Sequence, residues 1–333
     1  MTALEQLDGY AVHESIGHGS AADVYRAEDE KSGLPVALKR VQLQAPESDA
    51  KDLKASFDAQ AKIESPYVLK CRDFIEREKD VVIAMDLADG GTLKSFVSEN
   101  PDFFATHPNE FKRAAFQLLS GLKAAHHAGL THRDVEPGNI LLMKEGDSEF
   151  PYRLMLSGFG VSKQLSGASQ TATSVNEAMI YFAPEELEED TTCTQKSDIW
   201  SLGMVFREML TGRPPFEGSV SESILKGEFA SLLPEVDDGI KELLEAMQQR
   251  DPAERKSCEE LLELPALEAV EETQRVTVPL REHWDSLPKK NASALQKLGV
   301  ELCAFLQTLS PGLRDVRPET LTYNKKTGAI GLV

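Results

Sequence analysis

Short groups of glycines, charged residues and amides in this chain have the composition that phosphate chemistry needs. Gly17 and Gly19 lie close together in a segment that reads as strand, turn and strand. Glycine lets backbone N–H groups approach a phosphate without a Cβ clash. Lys39 follows a β-rich run, and Asp134 and Asn139 share a turn-like segment further along. A glycine segment of this kind is too common to identify a phosphate site by itself. The order of all these groups along the chain is therefore the deciding evidence for such a site.

Two kinds of element must hold these groups in place. Short β-rich runs occur at 10–12, 24–25, 36–38 and 81–85. One helical stripe lies among them, at Leu53, Phe57 and Ala61. Further along, helical patterns dominate, at 111–125, 199–209 and 257–264. A small β-rich lobe followed by a larger helical lobe predicts an α+β fold rather than a βαβ repeat.

The order of the chemical groups points to a known family. The segments that match, in order and at the right spacing, are 16–24, 36–39, 132–139, 156–160 and 181–185. Together they resemble the eukaryotic-type protein kinase family, bacterial Ser/Thr members included, and the ordered set is far more specific than any one motif. The resemblance covers residues 9–266. It implies a bilobal fold with an N-lobe at 9–85, a hinge at 86–90 and a C-lobe at 91–266.

The resemblance also implies a role for each matching residue. Asp134 would orient the substrate hydroxyl, and Asn139 would hold a metal ion. Asp198 would brace the catalytic loop, and Arg255 would pair with Glu185. The residues that would bind ATP, through the glycine loop, the base pocket, the hinge and the phosphates, are Gly17, Gly19, Val24, Ala37, Lys39, Asp86, Ala88 and Leu141.

In the C-lobe, three positions depart from the family pattern. Glu136 stands where the family has a lysine that steadies the transferred phosphate, and a carboxylate there repels that anion. Gly158 stands in place of the aspartate that carries Mg²⁺. Ala178 replaces a threonine that normally bonds the catalytic aspartate. All three changes erode the chemistry of phosphate transfer that the resemblance implies.

The N-lobe has two further departures. Ala22 replaces the third glycine of the loop, which should stiffen it. Ser56 falls where the glutamate partner of Lys39 is expected, with Asp52 and Asp58 as the nearest carboxylates along the helix. We therefore expect Lys39 to lack its usual partner.

These departures predict a pseudokinase, which is a signalling, scaffolding or allosteric module with weak or absent ATP binding and no use of Mg²⁺. The alternative is an active Ser/Thr protein kinase that uses ATP by an unusual route independent of Mg²⁺. Glu136 discriminates between the two, because an active enzyme would hardly tolerate a carboxylate beside the transferred phosphate.

The bulk composition narrows the choice of partners and compartment. A net charge of -19 makes nucleic acid and membrane poor partners and favours proteins with basic segments. The first ten residues lack the apolar region of a signal peptide, and nothing approaches about 18 consecutive apolar residues. Four well-separated cysteines predict free thiols. We expect a cytoplasmic protein.

Residues 267–333 predict a C-terminal extension made of a helix and a hairpin. The helical stripe is Leu295, Leu298, Leu302, Phe305 and Leu306. The hairpin is predicted as strand, turn and strand across 321–333. Because 314–320 echoes 133–139, the extension is either a degenerate second kinase fragment or a docking tail.

Overall fold

The computed structural model describes most of the chain in detail as far as residue 267, and short strands beyond it. The described residues are 7–18, 22–43, 45–145, 149–159, 179–187, 193–216, 223–224, 227, 229, 232, 236–267, 270, 277–279, 321–324 and 330–332. The chain separates into two compact units. They are Met1–Lys144 with Glu149–Ala266, and Glu145–Ser148 with Leu267–Val333.

The N-terminal lobe is a five-stranded antiparallel sheet with strand order β1-β2-β3-β5-β4 and one helix, α1 (Pro46–Gln60). The strands are β1 (Tyr10–His18), β2 (Ala22–Asp29), β3 (Leu34–Gln42), β4 (Cys71–Glu76) and β5 (Asp80–Asp86). The Tyr10 hydroxyl on β1 donates to Asp73 Oδ2 on β4 at 3.4 Å, so the two edges of the sheet curl towards each other.

Alternation along β3 explains why the sheet has two apolar faces. Val36 and Leu38 point to one face, where they are fully buried. Ala37 points to the opposite face and packs in the cluster that includes Leu53 of α1. Because side chains alternate with period 2, Lys39 lies on the same face as Ala37. The strand thereby carries its lysine into the space beneath the sheet.

The C-terminal lobe is mainly helical among its described residues. Its helices are α2 (Leu93–Glu99), α3 (Phe103–Thr106), α4 (Pro108–His127), α5 (Gln195–Thr211), α6 (Asp238–Met247) and α7 (Cys258–Leu262). A hairpin of β6 (Ile140–Lys144) and β7 (Tyr152–Leu156) lies at its upper edge. Helix α5 is buried on nearly all sides, as its apolar sequence predicts, and ends at Gly212 in the left-handed region with φ 64°.

Backbone hydrogen bonds connect the two lobes around the β6–β7 hairpin. Leu69 N–H donates to Leu156 O at 2.9 Å, and Leu156 N–H donates to Tyr67 O at 2.9 Å. On the other side, Gly90 N–H donates to Leu142 O at 2.8 Å. The predicted α+β fold, with a small β-rich lobe and a larger helical lobe, is confirmed.

Gly121 of α4 lies where the helix touches the segment entering β4. A Cβ at this position would stand 2.6 Å from Tyr67 O and 3.1 Å from Tyr67 Cβ. Alanine would gain about 1 kcal/mol of helix propensity, yet we expect Gly121→Ala to destabilise the protein by about 1–3 kcal/mol through overpacking. Denaturant unfolding measures the difference. Ser120→Ala, one residue earlier, is the control and should be close to neutral. A Gly121→Ala variant that gains stability would contradict this packing.

The second unit contains a three-stranded antiparallel sheet of order β10-β9-β8. Its strands are β8 (Thr277–Pro279), β9 (Leu321–Asn324) and β10 (Ile330–Leu332). The last two fall within the predicted hairpin, whereas β8 was not predicted. The predicted helical stripe at 295–306 and the echo at 314–320 lie outside the described residues. No described helix combines the length and hydropathy that crossing a bilayer requires.

Candidate nucleotide and catalytic cleft

One buried carboxylate holds the loop that precedes β6. Asp198 on α5 is 1% exposed and accepts hydrogen bonds from the backbone N–H groups of His132 and Arg133, both at 2.8 Å. His126 Nε2 lies 2.8 Å from Asp198 Oδ2. Arg133 has φ 68°, a conformation that few non-glycine residues adopt. These contacts with Asp198, called the brace below, therefore hold the loop in a strained turn that presents Asp134 to the cleft. Asp198 was expected from the sequence in this role, whereas His126 was not.

Asp134 and Asn139 lie side by side, as the loop sequence predicts. Asn139 Nδ2 donates to Asp134 O at 2.9 Å and to Asp134 Oδ2 at 2.7 Å. A short 3₁₀ turn, Pro137–Asn139, sets this geometry just before β6. The carboxylate is therefore already engaged by the amide. The same bonds turn the amide oxygen of Asn139 towards the end of β7.

Gly158 follows β7 and lies against Asn139. Its φ is 86°. A Cβ on Gly158 would stand 2.9 Å from Asn139 Oδ1 and 3.0 Å from Asn139 Cγ. Ser157 Oγ donates to Asn139 O at 2.8 Å, and Phe159 packs on the His132 ring with centroids 4.3 Å apart. The residue facing Asn139 thus carries no carboxylate. The Asn139 amide also crowds the Cβ position from which a carboxylate side chain would extend.

Glu136 lies on the side of the loop that faces the C-lobe. It lines the same small space as Asp134, together with Arg133, Tyr181 and Glu186. Its Oε1 lies 2.8 Å from the point where a Cβ on Gly138 would stand, so the carboxylate is held close to the loop backbone. A negative charge therefore accompanies Asp134, at the position where the resemblance implies a lysine.

Lys39 reaches into the cleft without a carboxylate partner. Within the described residues its ammonium group makes no hydrogen bond and no ion pair. Burial lowers the pKa of Lys39, while the charge of Asp134 opposes this shift. Asp134 is thus the acid that most favours the charged form of the lysine.

Helix α1 explains why that partner is missing. Ser56 is half-buried, whereas Asp52 and Asp58 are exposed, and Asp58 pairs with a lysine one turn earlier on the same helix. Ser56 and Asp52 line a cavity of about 270 Å³ that extends to Phe159. Neither aspartate forms an ion pair with Lys39 in the described part of the chain, which agrees with the sequence expectation for Ser56.

The residues that the resemblance assigns to the base pocket are apolar and pack together. Val24 of β2, Ala37 of β3 and Leu141 of β6 belong to one packed cluster. Met155 of β7 pairs with Leu141 across the hairpin and is 3% exposed. The sequence analysis did not name Met155, although its place three residues before Gly158 in the β7 pattern was a usable signal.

The predicted hinge residues, Asp86 and Ala88, differ in whether described residues already bond their polar groups. Asp86 pairs through its carboxylate with Arg72 Nε at 2.5 Å, and its N–H donates to Lys70 O at 3.0 Å. Ala88 is half-buried against the apolar cluster. Neither its N–H nor its C=O makes a hydrogen bond to any described residue. Ala88 therefore offers one backbone donor and one acceptor at the edge of the base pocket.

The glycine segment contains a side-chain contact that sequence reasoning missed. His18 Nδ1 lies 3.0 Å from Asp23 Oδ1, and Ser15 Oγ lies 3.1 Å from His18 Nε2. Asp23 is 3% exposed. The contacts tie β1 to β2 across the turn. Gly17 lies within β1, whereas Gly19 lies outside the described residues.

A second buried ion pair fixes the segment beyond the cleft. Arg255 donates from both guanidinium nitrogens to Glu185, at 2.7 and 2.6 Å, and Ser197 Oγ donates to Glu185 Oε1 at 2.9 Å. The Arg255 side chain is fully buried and lies over the Trp200 ring at 5.1 Å. The pairing implied by the resemblance is present.

Comparison with known proteins agrees with this geometry. A family described as "Protein kinase domain" matches residues 10–267. The chain belongs to the protein kinase family. Among its relatives, serine/threonine-protein kinase PknL of Mycobacterium bovis is 31% identical over 256 residues, which are 74% of this chain and 62% of that protein.

Two other relatives match at similar levels of identity. A protein named "Probable serine/threonine-protein kinase PknB" of Lactococcus lactis is 29% identical over 69% of this chain and 36% of its own length. Cytokinesis protein sepH of Emericella nidulans is 29% identical over 79% of this chain and 19% of its own. The kinase domain described above thus spans less than two thirds of each of these relatives.

Proposed function

We propose that this kinase domain is a catalytically impaired module that acts by binding rather than by phosphoryl transfer. The observation that carries the proposal is Gly158, which faces Asn139 and supplies no ligand. Mg²⁺ is bound in proteins by oxygen ligands in a near-octahedral set and, at phosphoryl-transfer sites, through one or two carboxylates with the substrate phosphates. Here Asn139 Oδ1 is the described atom nearest to the point where a Cβ of residue 158 would stand. The site does not fit the ion.

The charges around the transferring group support the same proposal. Phosphoryl transfer depends almost wholly on positioning and on stabilising negative charge. Burial lowers the pKa of Lys39, which weakens the cation available to the phosphates. Glu136 shares a small space with Arg133 and Asp134 and puts a carboxylate where the resemblance implies a lysine. That carboxylate opposes the anion that transfer must stabilise.

A kinase that works without Mg²⁺ is the second candidate. It is favoured by the retained Lys39 and Asp134, which lie close enough for the charge of Asp134 to raise the pKa of Lys39, and by the braced loop that presents Asp134. Under this alternative, ATP would bind through Lys39 and loop amides alone. Phosphate transfer to a protein hydroxyl in the presence of EDTA would favour it over the first proposal.

The experiment combines melting temperatures with a transfer assay on the full chain. Any stabilisation by ATP should be no larger with Mg²⁺ than with EDTA, because stabilisation follows ligand concentration over dissociation constant and the ion gains no protein carboxylate. Transfer from labelled ATP to general protein substrates should stay far below the ~1–100 s⁻¹ usual for kinases. A melting shift that needs Mg²⁺ would refute the proposal.

We also propose that the module's partners are proteins with basic segments. The support is the net charge of -19, which attracts cationic partners and accelerates their association at low salt. Binding of a lysine-rich peptide should weaken as salt rises from about 0.05 to 0.5 M, since exposed charges are screened over a few ångströms at the higher value. A glutamate-rich peptide of the same length is the control. Equal binding of both peptides would contradict the proposal.

A further inference from the structure

We infer that Ser15, His18 and Asp23 form an acyl-transfer triad at the edge of the N-lobe sheet, which hydrolyses small activated esters. The inference goes beyond the proposed function and does not depend on it, because this chemistry needs neither ATP nor a metal ion. Ser15 Oγ lies 3.1 Å from His18 Nε2, and His18 Nδ1 lies 3.0 Å from Asp23 Oδ1. A nucleophile, a base and a carboxylate that orients the base are thus joined in series.

The buried carboxylate of Asp23 determines which nitrogen of His18 carries the hydrogen. Asp23 is 3% exposed, whereas the His18 side chain is 73% exposed. An ionised carboxylate can only accept hydrogen bonds, so His18 Nδ1 donates to it, and in the neutral ring Nε2 is left as an acceptor. His18 Nε2 can therefore take the hydroxyl proton of Ser15, which is the task of a general base.

The hydroxyl group of Ser15 is placed as a nucleophile must be. Its Oγ has a second acceptor, Val24 O, but that contact is longer, at 3.3 Å, than the contact with His18 Nε2. Ser15 is exposed, so a substrate can reach its oxygen from solvent. The hydroxyl thus has a base on one side and an open approach on the other.

An irregularity in β1 supplies a group for the negative charge that forms during the reaction. Strand β1 lies at the edge of the sheet, so part of its backbone faces solvent. Ser15 and Gly17 pair with consecutive residues of β2, so Ile16 is the extra residue of a bulge. The N–H that follows a nucleophilic serine commonly binds the oxyanion. The N–H of Ile16 is the candidate here, and the Ile16 side chain, 48% exposed, offers an apolar surface to an acyl group.

The reaction balances with water as the only co-reactant. Ser15 Oγ bonds to the carbonyl carbon of the ester, and its proton passes to His18 Nε2. The bond between that carbon and the alcohol oxygen then breaks, and His18 gives the proton to the departing alcohol. Water next attacks the acyl group on Ser15, while His18 takes a proton from the water and returns it to Ser15 Oγ. The products are a carboxylic acid and an alcohol.

Labelling of the full chain by a fluorophosphonate is the first test. An activated serine displaces fluoride and keeps the phosphonyl group, and peptide mass spectrometry identifies the labelled residue. We expect the label on Ser15 and its loss in Ser15→Ala. Ser32→Ala is the matched control and should leave labelling unchanged, because Ser32 is an exposed serine that bonds the Asp29 carboxylate directly, at 2.6 Å. An unlabelled Ser15 would overturn the inference.

Hydrolysis of p-nitrophenyl acetate is the second test. Wild type should release a burst of p-nitrophenol in proportion to protein, as acyl-enzyme formation requires. Ser15→Ala should abolish the burst, and both Ser15→Ala and His18→Gln should slow hydrolysis by about 100-fold, the lower end of what a general base contributes. Hydrolysis that survives Ser15→Ala but not His18→Gln would make His18 the nucleophile, which would overturn the assignment of Ser15.

Asp23 is a positioning residue, because it acts only through His18. Asp23→Asn keeps the shape, but an amide can donate as well as accept, so it no longer fixes the hydrogen on Nδ1. For p-nitrophenyl acetate we expect kcat at least about 10-fold lower and KM within about 2-fold of wild type. Melting of the same variant gives the comparison with a structural role. A lower melting temperature with kcat and KM unchanged would show that the contact only ties β1 to β2, and the triad would be wrong.

Discussion

Arg255→Ala should lower the free energy of unfolding by about 3–5 kcal/mol, the cost of breaking a buried ion pair from one side. The substitution removes both hydrogen bonds to Glu185 and those to the backbone oxygens of Gln249, Lys196 and Arg250. Glu185 would then keep its charge without its guanidinium partner, while Ser197 still donates to it. Chemical denaturation with a linear extrapolation measures the loss.

Two further variants test whether the buried ion pair accounts for this loss of stability. Arg26→Ala breaks an exposed pair with Glu14, whose side chains are 51% and 63% exposed, and should cost no more than about 1 kcal/mol. Adding Glu185→Gln to Arg255→Ala should restore part of the stability, because it removes the uncompensated charge. If Arg255→Ala were as mild as Arg26→Ala, the pair would not stabilise the lobe.

The same pair should be visible in the dependence of stability on pH. Burial alone would raise the pKa of Glu185, but hydrogen bonds from Arg255 and Ser197 bring the pKa below its ordinary value of 4.5. A carboxyl with a depressed pKa in the folded state contributes stability above the unfolded value, and loses it as pH falls through the folded value. The wild type should therefore lose more stability than Arg255→Ala on acidification below pH 4.5.

Gly158→Asp should give a protein that binds nucleotide in a metal-dependent way but hardly transfers phosphate. The new carboxylate would have Asn139 as its co-ligand. Its cost is local: φ is 86°, and the new Cβ would stand 2.9 Å from Asn139 Oδ1. A left-handed backbone costs a non-glycine residue about 1–2 kcal/mol, and aspartate tolerates it better than most. Asn139 must also shift, which disturbs its bonds to Asp134.

Gly158→Ala is the matched control, because it also puts a Cβ on the left-handed backbone and makes the same Cβ contact without adding a ligand. Both variants should lose about 2 kcal/mol of stability. The melting shift produced by ATP should become Mg²⁺-dependent in Gly158→Asp alone. Equal behaviour of the two variants would show that a carboxylate at this position cannot build a metal site.

Turnover should stay low after this single repair, because the other losses remain. Glu136 would still oppose the developing anion, and losing one preorganised stabiliser typically costs about 10²–10³ in rate. Effects within one catalytic unit are not additive. The triple change Gly158→Asp, Glu136→Lys and Ala178→Thr is therefore the fair test of latent activity. Turnover near ~1–100 s⁻¹ from Gly158→Asp alone would show that Glu136 does not block transfer.

The sequence predicted those parts of the fold that short-range pattern and family order determine. Helix α5 has an apolar run with Gly212 at its end, and the structure ends it at that glycine. The loop at 132–139 and Asp198 could be placed together because the ordered motifs place them in one cleft. Strands β4 and β8 were not predicted, because a short strand depends more on its neighbours than on its own residues.

The details that escaped prediction depend on the folded geometry. Nothing in the spacing of Ser15, His18 and Asp23 requires contact, and the contact forms because β1 and β2 pair with irregular register there. The crowding of Asn139 against Gly158 likewise depends on a positive φ that sequence does not report. Whether Ala88 keeps its backbone groups free depends on where β5 ends.

The brace at Asp198 has an evolutionary consequence. Its bonds reach the backbone of His132 and Arg133 and the ring of His126, and none involves Gly158 or the side chains of Asp134 and Glu136. The conformation of the loop therefore does not depend on the functional groups that it carries. A lineage could discard the metal ligand or reverse the charge at residue 136 in either order without passing through an unfolded ancestor. Inactive descendants of an enzyme built this way can persist, and acquire new uses, as ordinary stable proteins.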